Sequence, residues 1–188
     1  MSWYSFLLFA HISGALGFVS GIMLWGSLYA AMRRARRVEH IRYLALLMRR
    51  SNRVTVPSVV MLLAAGITMT ITSWGFETGW IDVALGSVML LATFNAVITE
   101  PRIHALTASV MASGDGPFPL AITAQIQSRL LNMAMALQLP YVFGIVFLMV
   151  IKPTWEMSLG VMAGALLLGL VIGWSQWLRG NRSSQIEG

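Results

Sequence analysis

The sequence predicts an all-α integral membrane protein, a four-helix core plus a fifth transmembrane helix, in a single domain over residues 1–188. Three observations predict it. The chain is 57% hydrophobic and 11% charged, with a mean hydropathy of +0.73, against about 25% charged residues in an ordinary soluble domain. Its apolar residues gather into five runs of about 20 residues or more, the length a helix needs to cross a bilayer. In lipid, only helices and closed barrels satisfy their own backbone polar groups, and uninterrupted apolar runs select helices.

The spans fall at about 4–32, 54–74, 80–99, 131–151 and 155–178. The first is longer than a signal-peptide core and lacks a basic leader and a small-residue cleavage site, so it is expected to remain as an anchor. Basic residues set the orientation. Eight arginines lie between the first and second spans (Arg33, Arg34, Arg36, Arg37, Arg42, Arg49, Arg50 and Arg53), Arg102 and Arg129 between the third and fourth, and Arg179 and Arg182 after the fifth. The opposite side receives Lys152 with Glu77, Asp82 and Glu156. The pattern places the N-terminus outside, the C-terminus inside, and the chain in the cell's inner (cytoplasmic) membrane, where its first partner is the lipid bilayer. Trp3, Trp74, Trp80 and Trp155 then form an outer aromatic belt and Trp177 part of an inner one.

The cytoplasmic connector 33–53 carries Val38, Ile41, Leu44, Ala45, Leu47 and Met48 at helical spacing among its arginines. It reads as a basic amphipathic helix on the inner leaflet, with His40 solvated. An arginine run also suits phosphates, but positive-inside topology already accounts for these charges, and no nucleic-acid partner is expected. The segment SGDGPFP, 113–119, is a turn by its glycines and prolines, and the fourth helix is expected to begin just after it. The tail SSQIEG is polar and carries no evident role. Gly17 with Gly21, Gly160 with Gly164 and Gly169 with Gly173 are each spaced for close helix approach in lipid. Ala10, Gly14, Gly17 and Gly21 share one stripe of the first helix, a packing face either within the bundle or between the protomers of a homo-oligomer or membrane complex.

Ionisable groups within a span are expensive and mark functional candidates. His11 is the single candidate cofactor- and metal-binding residue, about 12 Å inward of Trp3 at 1.5 Å per residue. Three readings remain open for it. As a neutral imidazole it suits a metal, or haem iron as an axial ligand. It suits equally a hydrogen bond to a hydroxyl or carbonyl of the next helix, Thr68 or Thr70 for instance. The third reading is proton or ion handling. A second cluster, Glu100, Arg102 and His104, lies at the inner end of the third span. There Pro101 is expected to push Glu100 toward an extended backbone. The cluster suits either a divalent cation or protons, or a helix end closed by an internal ion pair. Asn95, Asn132 and Gln138 are expected to bond between helices, and Pro140 to kink the fourth span. No cysteine, Ser/His/Asp set, phosphate-cradling glycine loop or paired-carboxylate site is present, so hydrolytic and phosphoryl chemistry are unsupported.

FLLFAHISGALGFVSGIMLWGSL resembles the first helix of a family of small predicted integral membrane proteins of unknown function, with an early histidine and a glycine-rich middle. GWIDVALGSVMLLATFNAVITEPRIHAL resembles their third helix and FLMVIKP the end of their fourth, so that the likeness covers residues 4 to 153. The layout is similar, more distantly, to HemJ-type protoporphyrinogen oxidases and to CopD-like membrane domains. The HemJ resemblance implies haem as cofactor with His11 as its ligand, and matches Lys152 to the Lys-Pro that closes the last family helix. The third span carries Asp82 and Asn95 but no lysine where that family has one, and the fifth span lies outside the four-helix pattern. A glycine slot for a porphyrin is expected at Gly14, Gly17 and Gly21, beside Phe18 and Trp25.

Overall fold

The computed structural model describes residues 2–117 and 119–186, with side chains as far as Leu178, so Phe118 of the turn, the side chains of Arg179 and Arg182 and the end of the polar tail lie outside the described residues. Seven α-helices follow one another: α1 Trp3–Arg34, α2 Val38–Met69, α3 Gly79–Phe94, α4 Glu100–Ala112, α5 Leu120–Ile126, α6 Arg129–Ile151 and α7 Trp155–Ile186. A π-helical turn, Thr70–Trp74, prolongs α2, and another, Asn95–Thr99, joins α3 to α4. Five helical stretches are long and apolar enough to cross a membrane: Trp3–Arg34, Val38–Trp74, Gly79–Ala112, Leu120–Ile151 and Trp155–Leu178. Among the described residues there is no strand, only an isolated bridge between Arg37 and Pro117.

Two antiparallel pairs, α1 with α2 and α6 with α7, carry most of the packing, and α3 lies against the second pair. The α1/α2 seam is made by glycine. A Cβ on Gly14 would lie 2.6 Å from the Leu62 amide nitrogen and 2.8 Å from the Ser58 carbonyl oxygen, so only a residue without a side chain admits the second backbone. One and two turns on, the spaces beside Gly17 and Gly21 are filled by the side chains of Ser58 and Thr55. The stripe expected to face either the bundle or another protomer therefore packs inside the chain. Gly169 does the same in α7, where a Cβ would lie 2.8 Å from the Leu137 Cα, whereas Gly160 and Gly164 meet nothing within 4 Å.

The connector differs from its expected form. Instead of a separate helix on the inner leaflet, residues 38–53 are the first half of α2, which continues into the span through Pro57. Its apolar stripe, Val38, Ile41, Ala45 and Met48, is buried against Ile103, Leu106 and Val110 of α4 and Ile122 of α5. A protein core replaces the headgroups as the partner of that face, and nothing then requires the helix to turn along the membrane.

The third span also runs further than expected. Glu100 is helical at φ −60°, ψ −47°, not extended. The π turn before it resets the hydrogen-bond ladder, and Pro101 then stands in the first turn of α4, where its missing N–H is not needed. The expected internal ion pair is also corrected: the Arg102 guanidinium donates to the Ile98 carbonyl at 2.7 Å and leaves Glu100 aside.

The turn at 113–117 is held to the start of α2 by charge. Arg42 donates to Asp115 at 2.6 Å and to the Ser113 carbonyl at 2.7 Å, the Val38 amide donates to the Gly116 carbonyl at 3.0 Å, and Gly116, at φ +140°, donates back to the Glu39 carboxylate. Hydrogen bonding from Arg37, 2.7 Å away, is the main cause that pulls the Glu39 carboxyl down to about 2. A carboxylate with a depressed value contributes stability above its unfolded value near 4.5 and loses it as pH falls toward 2. Glu39→Gln is therefore expected to loosen the turn at neutral pH as acidification below about 4 does in the wild type. Hydrogen exchange at the Val38 amide measures it, and unchanged exchange in the variant contradicts it.

Candidate functional site

His11 stands on α1 one turn before Gly14, where the glycine seam brings α2 closest. Its imidazole Nδ1 lies 2.9 Å from the Leu62 carbonyl oxygen. A carbonyl can only accept, so Nδ1 carries the proton and, in the neutral ring, Nε2 keeps its lone pair. Leu62 lies in mid-helix and bonds through the second lone pair of its oxygen. The ring rests on Gly66, where a Cβ would lie 2.8 Å from Cε1. Of the alternatives for a hydrogen-bond partner, the carbonyl holds. Thr68 and Thr70 turn their hydroxyls back to Ala64 and Gly66 in their own helix.

No hydrogen bond to Nε2 is found among the described residues, and His11 lines a pocket of about 450 Å³ between α1, α2, α3 and α6. That volume falls in the range of about 300–1,000 Å³ usual for small-ligand sites. Ala15, Phe18, Val19, Ala84, Ile145 and Met149 are among its apolar walls. Phe18 and Val88 also line a second cavity of about 240 Å³ that contains Asn95, Gln138 and Trp25.

At the tryptophan end the pocket is closed by Trp74 of the first π turn and Trp80 of α3, whose rings meet edge to face at 5.6 Å. Above them Lys152 takes the left-handed backbone conformation, φ 52°, that ends α6, with its ammonium 4.4 Å from the Trp74 ring centroid. An ammonium over an indole face is attracted by the ring quadrupole. A cation thus stands over the tryptophan end of an apolar pocket.

The slot expected at Gly14, Gly17 and Gly21 is corrected: α2 fills it, and no planar ligand can lie there. Trp25 donates to Ser51 at 3.0 Å on the far side. The space lies on the other flank of α1, with Phe18 the shared wall. Glu100 and His104 are exposed and face one shallow cavity of about 240 Å³ with Trp25 and Asn52. His40 is exposed, as expected. Among the described residues, no group of three or more His, Cys, Asp or Glu could hold a metal ion.

The polar residues of the spans bond between helices as expected. Gln138 donates to Asn95 at 2.9 Å, and buried Asn132 donates to the Gly173 carbonyl at 3.1 Å while accepting from Arg33 at 2.6 Å. Sequence reasoning missed Leu62 and Gly66, because a backbone acceptor leaves no residue-type signal and one glycine in LLAAGITM is unremarkable. It also missed the Lys152 cage, although Trp74, Trp80 and Lys152 had been assigned to the same end of the bundle.

Comparison with protein-family models, curated proteins and solved structures finds no significant match. The functional reading rests on the site alone.

Proposed function

We propose that this chain is a multi-pass protein of the cell's inner (cytoplasmic) membrane, N-terminus outside, that binds haem through Nε2 of His11 in a redox role. The observation that carries the reading is the Nδ1–Leu62 hydrogen bond. Histidines that bind metals commonly donate their other ring nitrogen to a carbonyl or carboxylate, which fixes tautomer and ring orientation. Here that arrangement leaves the Nε2 lone pair free on a ring that lines an apolar pocket of ligand size. The residues fit the group: one imidazole seated against Gly66, apolar walls that would exclude water, and the Lys152 ammonium at the polar end for acidic substituents. Haem held by one histidine supplies an iron with an open position, suited to small-ligand chemistry. His11 would hold the metal, Leu62 orients His11, and Phe18 and Val19 would keep the ring face dry.

Redox turnover would require an electron donor or acceptor outside this chain, and the protein is read as a homo-oligomer or a subunit of a membrane complex. The second reading is a structural or transporter-type subunit without a cofactor. It is favoured by the same hydrogen bond, since an imidazole on Leu62 pins α1 to α2 whether or not a ligand arrives. Titration of the detergent-purified chain with iron protoporphyrin separates the two. The haem reading expects a saturable Soret band at one equivalent. A spectrum that stays that of free haem leaves the structural reading.

A further inference from the structure

A groove of about 850 Å³ runs down the outside of the bundle between α1, α6 and α7, away from the His11 pocket. On α1 it extends from Ile22 to Arg33, twelve residues or about 16 Å of helix, and on α6 and α7 its walls continue to Phe147 and Val161. The walls are apolar and smooth: Gly26, Pro140, Phe143, Gly164 and Leu168 line it, and at Gly26 and Gly164 an added Cβ would meet nothing within 4 Å.

The polar end is built differently. Arg33 closes the groove at the arginine-rich end, half-buried, one Nη fixed on Asn132, which is 2% exposed. Its remaining N–H groups have no partner among the described residues. Three residues before Asn132 on the same helix, Arg129 holds its guanidinium 4.5 Å from the Trp174 ring and 5.0 Å from that of Trp177. Two cations therefore stand at the arginine-rich end of the bundle, Arg33 on the apolar channel itself and Arg129 near it.

We propose that this groove binds one anionic phospholipid of the arginine-side leaflet, with its phosphate on Arg33 and an acyl chain along Gly26 and Gly164. Charge decides the occupant. Arg33, with one Nη on Asn132, keeps N–H donors at the end of the apolar walls that an anionic headgroup satisfies and the apolar helix of a second copy does not. A fixed guanidinium matches a phosphate by paired N–H donors, and its orientation by Asn132 is set before the lipid arrives.

Native mass spectrometry of the full chain in mild detergent tests it, with phosphatidylglycerol, phosphatidylcholine of the same acyl chains, and inorganic phosphate as probes. The wild type is expected to retain one phosphatidylglycerol per chain, with about tenfold preference over phosphatidylcholine. Arg33→Gln should remove that preference. Gly164→Leu, which fills open space and leaves the fold intact, should weaken retention of both lipids by about tenfold. Equal retention of the two lipids by the wild type, or retention indifferent to Gly164→Leu, overturns the proposal. Displacement of the lipid by inorganic phosphate would reveal a free-anion site instead, and a dimer dissociated by Gly164→Leu would assign the groove to a second copy; either result contradicts a lipid site.

Discussion

Gly14→Ala is expected to destabilise the protein by about 2–3 kcal/mol, the upper part of the range for forcing a methyl group into a closely packed interface. The new Cβ would lie 2.6 Å from the Leu62 nitrogen and 2.9 Å from its Cα. Those atoms belong to the backbone of α2, so no side-chain rotation relieves the contact and the two helices must separate. Separation also lengthens the His11–Leu62 hydrogen bond, one turn away. Gly160→Ala is the control: nothing lies within 4 Å of its Cβ, and alanine's better helix propensity makes a change within about 1 kcal/mol, in the stabilising direction, the expected result. Thermal unfolding in one mild detergent, followed by circular dichroism, compares them. Equal midpoints would contradict the glycine seam.

Asn132→Leu should carry a comparable penalty for a different reason. Asn132 is 2% exposed and links three helices, accepting from Arg33 on α1 and donating to the Gly173 carbonyl on α7. Leucine keeps the volume but leaves the guanidinium without its acceptor, and an unpaired group at a buried site costs about 1–3 kcal/mol, more when charged. Because Arg33 is only half-buried and can turn toward headgroups, about 2 kcal/mol is expected. Arg33→Met in the same chain should restore part of the loss, since removing both partners deletes the unmet demand. Additive penalties in the double variant would show that the pair is not coupled.

The helices were legible because the bilayer leaves few choices: runs of about 20 apolar residues dictate helix. Connector 33–53 was misread for a definite reason. An amphipathic stripe says that a face is buried but not against what, and Val38, Ile41, Ala45 and Met48 found α4 and α5 in place of headgroups. Pro101 was misread because the pre-proline preference is a bias that helix continuity can override: Glu100 follows the π turn at Asn95–Thr99 in helical backbone, directly before Pro101. At the site, His11 stood out as one imidazole in an uncharged run. Its partner did not, since Leu62 acts through its backbone and Gly66 through the absence of a side chain. The glycine stripe was recognised but given the wrong guest: it admits α2, and the space for a ligand opens on the opposite flank.

A chemical rescue of the His11→Ala variant tests the role of the imidazole most directly. The purified variant, folded by circular dichroism, is mixed with one equivalent of iron protoporphyrin, and absorption is recorded before and after free imidazole is added. If His11 is an axial ligand, the protein-bound Soret band of the wild type is absent in the variant and returns with imidazole, which takes the vacated space beside Gly66. A wild type that binds no porphyrin, or a variant whose spectrum matches the wild type without imidazole, would contradict ligation and leave His11 as the pin between α1 and α2.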